Sequence, residues 1–364
     1  FKQKTAYEIS LGLVGSEMCI RDRVRKTLQE NDFSPERVAV VVSLDLKADE
    51  PAVHAVAKNL ECSVRFFDAA TLEALTPKLK NPSEIVFQEV GCHGVAEGAA
   101  LAAVGDSGIL LVPKVKSSTM FGTGRATCAI AESEEFLDPQ MIGRAQGTLF
   151  IVGTGPGTPE WRLPESEKML RKATDWVGYG LYLELISDLH NGQKQHRFDL
   201  GQEEVRVRHA LQLAGQGKTV ALISSGDPGL YAMSSLVFEL LETAKSCAKD
   251  NSVPEWQRIH VEATPGISAL QAASARIGAP LGHDFCTISL SDLLTPWETI
   301  ERRIFAAAEG DFVIAFYNPV SSKRIDQLSV AHKILLKYRS PDTPVILAHN
   351  LGRSGELVNV VTLA

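Results

Sequence analysis

The sequence runs to 364 residues, 45% of them apolar and 22% charged, with a net charge of −7, which is enough chain for two or three globular domains with sizeable cores. That acidic balance argues against a nucleic-acid binder, which normally carries a basic excess on at least one domain, and no apolar run approaches the roughly 20 residues needed to cross a bilayer. The cysteines at 19, 62, 92, 128, 247 and 286 form no C-x-x-C pair and no Cys/His zinc spacing, so reduced thiols, a cytoplasmic location and no metal are expected.

The first residues stand apart. Lys2 and Lys4 precede only ISLGLVG before Glu17 interrupts, too short and too polar for a secretory core. LVGSEMCIRDR (13–23) matches one reading frame of a sequencing adapter, so residues 1–23 are set aside as an expected artefact. From Arg37, RVAVVVSL is a buried-strand run, EPAVHAVAKNL has helical spacing and CSVRFF is strand-like again. A helix rich in alanine and glycine is predicted after Gly94, then strands in GILLVPKVKSS and RATCAIA. These define a small α/β domain over 24–131. ESEEFLDPQMIGRAQG (132–147) is polar, carries Pro139 and Gly143, and reads as a linker.

From 148 to 364 a second α/β pattern places strands at 149–153, 219–224, 259–263, 285–289, 312–317 and 344–349. Helices such as SSLVFELLETA and SALQAASARIG lie between them. The alternation predicts doubly wound sheets with ligands at the carboxyl ends of the strands. ELVNVVTLA ends the sequence inside a strand-like run, so the chain is expected to be a fragment at both ends.

Four strand-end loops carry the functional signal. In LFIVGTGPGTPEW, Gly153, Gly155 and Gly157 miss the G-x-G-x-x-G spacing of a dinucleotide loop, and no Gly-Lys-Ser/Thr follows as in a P-loop. Pro156 and the TPEW that follows keep the chain in a turn. SSGDPGLYAM sets a glycine-proline turn at the end of an apolar strand, exposing backbone groups, with Asp227 as an acceptor. VEATPGISALQAA repeats the arrangement before a helix capped near Ser268, and VIAFYNPVSSKR gives a fourth loop from Tyr317 to Arg324. Each alone is also an ordinary β-to-α connection, with Asp227 or Ser268 as N-cap; the four in this order are more specific.

VGTGPGTPEW, SSGDPGLYAM, TPGISALQAASARIGAPLGHDFCTISLSDLLTPWE, AFYNPVSSKR and ILAHNLGRSGE resemble the tetrapyrrole methylase family over nearly all of 148–364. The long third segment is similar to the precorrin-3B C17-methyltransferases of cobalamin biosynthesis. The resemblance implies a two-subdomain α/β fold of the class III S-adenosylmethionine (SAM) methyltransferases, with SAM held in a cleft chiefly by backbone groups. It implies that Pro156, Gly226, Asp227, Leu230, Ser268 and Ala269 line the SAM site, completed by Tyr317 and the region around Asn350. The implied substrate is precorrin-3B or the cobalt-containing cobalt-factor III, and a homodimer is expected from the resemblance alone.

QEVGCHGVAEGAALAAVG and the strands after it resemble the C-terminal domain of the cobalamin-pathway CbiG proteins and CobE. That group begins with a strand and a glycine-cysteine turn that the sequence does not show, so the small domain is expected to lack its first strand, and an accessory, tetrapyrrole-binding role is implied. Cys92 and His93 read as structural rather than catalytic, and Lys114 and Lys116 as candidate carboxylate contacts that are equally solvated lysines. Methyl transfer from a sulfonium to a ring carbon needs alignment more than covalent catalysis, but the ring contraction implied with it needs proton movement. Ser225, His283, Asp292 and Tyr317 are the candidates for it. Lys323, Arg324 and Arg353 sit on strand-end loops suited to substrate carboxylates, whereas Arg302 and Arg303 fit an exposed helix face. The competing readings are a tetrapyrrole carrier that transfers nothing and a methyltransferase acting at C11 or C20.

Overall fold

A run such as VAVVVSL is accommodated only as a strand covered on both faces. The computed structural model, which describes residues 6–12, 17–119, 122–247, 255–321 and 324–364, places it there. The chain divides into two units. The first comprises Phe1–Leu149, Leu211–Thr219 and Thr243–Val261, and the second Phe150–Ala210, Val220–Glu242 and Glu262–Ala364.

In the first unit the elements follow as β1 (Ala6–Gly12), α1 (Glu17–Glu30), β2 (Val38–Leu44), α2 (Pro51–Asn59) and β3 (Ser63–Phe67). Then come α3 (Ala69–Glu73), α4 (Glu84–Val90), α5 (Val95–Val104), β4 (Ile109–Thr119) and β5 (Gly122–Ser133). The sheet order is β3-β2-β1-β5-β4, parallel from β1 through β3 and antiparallel where β5 meets β1 and β4. Successive residues of a strand point to opposite faces. Val41 accordingly joins the core made with α1 and α2, while Val40, Val42 and Leu44 join Leu72, Val95 and Ala99. Ala6–Gly12, from the stretch set aside in the sequence, lies mid-sheet between β2 and β5, and Ile20, Val24 and Leu28 of α1 are buried in the core. Cys128 of β5 is fully buried, and burial pushes its thiol up to about 12.

The polar stretch 132–147 is tied to this sheet. Phe66 and Arg144 exchange both backbone hydrogen bonds at 2.8 Å, and Arg65 donates to the carbonyls of Pro139 and Gln140. Arg144 in turn reaches Asp45 at 2.7 Å and the carbonyl of Gly215 at 3.0 Å.

The following elements are β6 (Thr148–Gly153), α6 (Pro164–Lys172), β7 (Asp175–Tyr179), α7 (Gly180–Glu184), β8 (Lys194–Phe198), α8 (Glu203–Gly215), β9 (Thr219–Ser224), α9 (Ser234–Cys247) and β10 (His260–Thr264). Their strands form a sheet in the order β10-β6-β9-β7-β8, with β7 parallel to both neighbours. β6 and β9 are buried from their second residue to their last. Trp176 of β7 is fully buried with its indole N–H donating to the Leu170 carbonyl at 2.9 Å, so the polar edge of the ring is satisfied where its apolar bulk is closed off.

The chain continues through α10 (Ala269–Ile277), β11 (Phe285–Ser289), α11 (Trp297–Glu309), β12 (Val313–Tyr317), α12 (Gln327–Leu335), β13 (Pro344–His349) and β14 (Leu357–Thr362). β11 and β12 pair in parallel, and β13 and β14 form an antiparallel hairpin. Ile288, Ile300, Ile304, Ala331 and Ile334 make the core beneath β11 and β12. The α/β class and the strand-helix alternation are those expected. Among the described residues no helix is long and apolar enough to cross a membrane, and no cluster of three or more His, Cys, Asp or Glu side chains is arranged to hold a metal.

Candidate functional site

The loops after β6, β9 and β10 meet at backbone distance. Gly155 and Gly226 exchange backbone hydrogen bonds, at 3.3 Å from Gly155 N and 2.7 Å from Gly226 N, and Gly226 adopts φ +71°, where side chains are strained. A Cβ on Gly266 would lie 2.0 Å from the Gly226 carbonyl oxygen, so only glycine permits this approach. Asp227 joins the same seam: one carboxylate oxygen accepts from Gly229 N at 2.7 Å and the other from Gly266 N at 3.1 Å. Beneath them, Ser166 donates to the Gly153 carbonyl at 2.8 Å.

The remaining predicted cofactor residues stand around this seam. Pro156 is buried and Leu230 half-buried in their loops. Ser268 is the N-cap of α10, in a capping box with Gln271, and Ala269 is exposed in the first helical turn. The Tyr317 hydroxyl accepts from Leu270 N at 3.1 Å, tying the end of β12 to the start of α10. Asn350, at φ 51°, opens the turn between β13 and β14.

That turn supplies residues the sequence reading missed or misplaced. Arg353 donates from Nε to the Pro156 carbonyl at 2.6 Å and from Nη2 to the Ser225 hydroxyl at 2.7 Å. It therefore clasps the first two loops. Glu356 accepts from Gly352 N and from Arg276, both at 2.6 Å, and the Arg276 guanidinium lies 4.3 Å over the Trp161 ring. The Arg276 hydrogen bond holds the Glu356 carboxyl below its ordinary range. In sequence only the spacing Arg353-x-x-Glu356 hints at this clasp, because its partners lie 197, 128 and 80 positions away.

Arg324 is likewise held by the protein. It is buried and donates to the Asn318 carbonyl and the Ser291 hydroxyl, both at 2.9 Å, with Asp292 at 3.7 Å. Its guanidinium ties two loops together. Asp292 also accepts from Gln327 at 3.0 Å, so it belongs to that scaffold and does not join Ser225. Ser225 itself donates to the Gly155 carbonyl at 3.3 Å while accepting from Arg353. His283 is exposed in the turn before β11 and meets none of the other three candidates. Lys323 lies outside the described residues. Arg302 and Arg303 are exposed on α11 as expected.

In the first unit, Glu73 bonds the His93 imidazole at 2.9 Å and, with Glu84, raises its pKa. Burial raises the Cys92 thiol. The buried Glu97 carboxylate is filled by Lys80 N, Asn81 N, Asn81 Nδ2 and Lys114 N at 2.7–3.0 Å. Lys114 Nζ donates to the Asn81 carbonyl at 2.8 Å, and Lys116 is exposed. These bonds brace loops.

The family model for tetrapyrrole (corrin/porphyrin) methylases matches residues 148–364. The chain belongs to that family. The tetrapyrrole methylase match begins at the first residue of β6 and takes in every glycine loop of the seam. Residues 16–131 match a second family, described as cobalamin synthesis G C-terminus. The chain is 45% identical over 218 residues to the cobalt-factor III methyltransferase of Priestia megaterium, covering 60% of this chain and 39% of that one. It is 42% identical over 217 residues to the precorrin-3B C(17)-methyltransferase of Sinorhizobium sp, covering 60% and 82%. The crystal structure of the methyltransferase CobJ superposes with a TM-score of 0.55 at 40% identity, covering 60% of this chain and 87% of that one. The chain thus spans about two fifths of the length of several curated relatives that it matches.

Proposed function

We propose that residues 148–364 form a SAM-dependent methyltransferase that methylates C17 of precorrin-3B or cobalt-factor III, with contraction of the macrocycle, in cobalamin biosynthesis. In this reading residues 24–131 are an accessory cobalamin-pathway domain joined through 132–147, and the protein is a cytoplasmic homodimer. The observation that carries the reading is the seam of glycine loops, inside a stretch 42% identical to a protein named for this reaction.

The loops fit a SAM ligand by their donor set. They present backbone carbonyls and the Asp227 carboxylate, which has lone pairs beyond the two given to Gly229 and Gly266. Such acceptors suit ribose hydroxyls and amino groups. Among the described residues, the Arg353 guanidinium at the seam is taken up by Pro156 and Ser225, so it is not free for a phosphate. Pro156, Gly226, Asp227, Leu230, Ser268, Ala269, Tyr317 and Asn350 would hold SAM. When bound, SAM supplies an electrophilic methyl group on sulfur.

The chain's own contribution is alignment. Loops locked by backbone hydrogen bonds fix a near-attack geometry, and such positioning supplies on the order of 7–11 kcal/mol of a barrier. Ser225, His283, Asp292 and Tyr317 stay the candidates for proton movement at the ring oxygens, Ser225, Asp292 and Tyr317 with protein partners and His283 exposed. Titrating S-adenosylhomocysteine into the 364-residue protein tests the reading. Micromolar binding that Asp227→Ala loses is expected; no binding by the folded protein would overturn it.

A further inference from the structure

Tyr231 takes part in none of the assignments above. Six non-glycine residues among those described have a left-handed backbone, and Tyr231, at φ 52°, is the one aromatic among them. Asn318 and Asn350, at the ends of β12 and β13, adopt the same conformation, but asparagine does so readily and a bulky ring does not. The strained ring is also 46% exposed, so core packing does not account for it.

The ring is nevertheless fixed at both ends. Its loop is tied by Leu230 N to the Asp227 carbonyl at 3.3 Å and by Ser234 N to the Pro228 carbonyl at 2.9 Å. Its hydroxyl donates to Thr287 Oγ1 at 3.3 Å. Beside it, the Tyr317 ring lies 5.1 Å away, centroid to centroid, tilted by 48°. A local conformation held against its preference by surrounding bonds points to a task at that spot.

We propose that the Tyr231 ring, backed by Tyr317, is an aromatic ledge on which the conjugated face of the tetrapyrrole substrate rests, with Tyr231 the specificity-determining contact. The inference rests on the methyltransferase reading and names the surface that receives its substrate. The exposed Tyr231 ring offers a stacking face that rewards a large, flat π system, and the Tyr317 ring, tilted by 48°, backs it from another strand-end loop. The loop that carries Tyr231 also carries Gly226 and Asp227, which places the macrocycle beside the cofactor seam.

The test uses the full 364-residue protein with Tyr231→Phe, Tyr231→Leu and Tyr231→Gly. S-adenosylhomocysteine is titrated by calorimetry and cobalt-factor III by its absorbance change. Leu and Gly variants are expected to bind cobalt-factor III at least tenfold more weakly and the Phe variant within threefold, with S-adenosylhomocysteine affinity within twofold throughout. Tyr231→Gly relieves the left-handed strain and is expected to melt no lower than the unsubstituted protein, which keeps a folding defect apart from a lost contact. Unchanged macrocycle affinity in Tyr231→Leu would overturn the ledge. A parallel loss of S-adenosylhomocysteine would assign the ring to the cofactor and overturn it equally. Binding of neither ligand by the unsubstituted protein would overturn the methyltransferase reading and the ledge with it.

Discussion

β6 and β9 are closed to solvent almost end to end, whereas β13 and β14 expose most of their residues and β12 is half-buried throughout. The loops after the first pair are set by backbone contact at glycines, because the sheet beneath them does not give. The loops after the second group are set by charged side chains, Arg324 among Asn318, Ser291 and Asp292, and Arg353 with Glu356 across the β13–β14 turn. One region holds its geometry by close backbone packing and backbone hydrogen bonds, the other by side-chain hydrogen bonds. Substitutions should separate the two.

The largest effect is expected from Gly266→Ala, whose Cβ would stand 2.0 Å from a backbone oxygen. Overpacking against backbone should destabilise by roughly 3 kcal/mol in a denaturant melt and abolish S-adenosylhomocysteine binding. A variant that melts normally would show that the seam yields. Next comes Arg162→Met, at the foot of the first loop. The Arg162 side chain is 1% exposed and forks onto Asp188 at 2.9 and 3.1 Å. Because Asp188 is half exposed and can rehydrate, the loss should be about 2 kcal/mol. Arg162 also holds the Asp188 carboxyl below its ordinary value of 3.8. A depressed folded pKa contributes stability above pH 3.8 that is lost as pH falls through the lowered value, so the difference between parent and variant should shrink on acidification, as followed by urea melts from pH 6 to pH 3.

Arg353→Ala tests the region held by side chains and should weaken S-adenosylhomocysteine about tenfold, the worth of one charge-assisted hydrogen bond, with Arg353→Lys in between by calorimetry. Smallest is Val360→Thr on the exposed face of β14, expected within about 0.5 kcal/mol. A loss of 2 kcal/mol or more, dependent on protein concentration, would mean that a second copy covers that face in solution.

Much of this architecture was legible beforehand where the physics is local. The apolar runs that became β2, β6, β9 and β11 are bounded by turn residues, and the glycines of the seam announced a close approach. β7 and β8 were missed because DWVGY is short and interrupted by Gly178, and KQHRF is polar in four of its five positions, which a strand at the edge of a sheet tolerates. The protein partners of Arg324 and Arg353 were not legible for a different reason. A sequence shows a charge on a loop but not the carbonyl that captures it, and for Arg353 that carbonyl lies 197 positions upstream.

The closed thiol of Cys128 gives the first unit its own clock. A sulfur buried in the middle of β5 and pushed up to about 12 reacts with an alkylating reagent near neutral pH only when that sheet opens. Cys286, only half-buried in the second unit, meets the reagent without such an event and serves as a reference. Pulse alkylation read by mass spectrometry would thus record the opening of that sheet against an internal standard in a single tube, without a tag, a dye or a truncated chain.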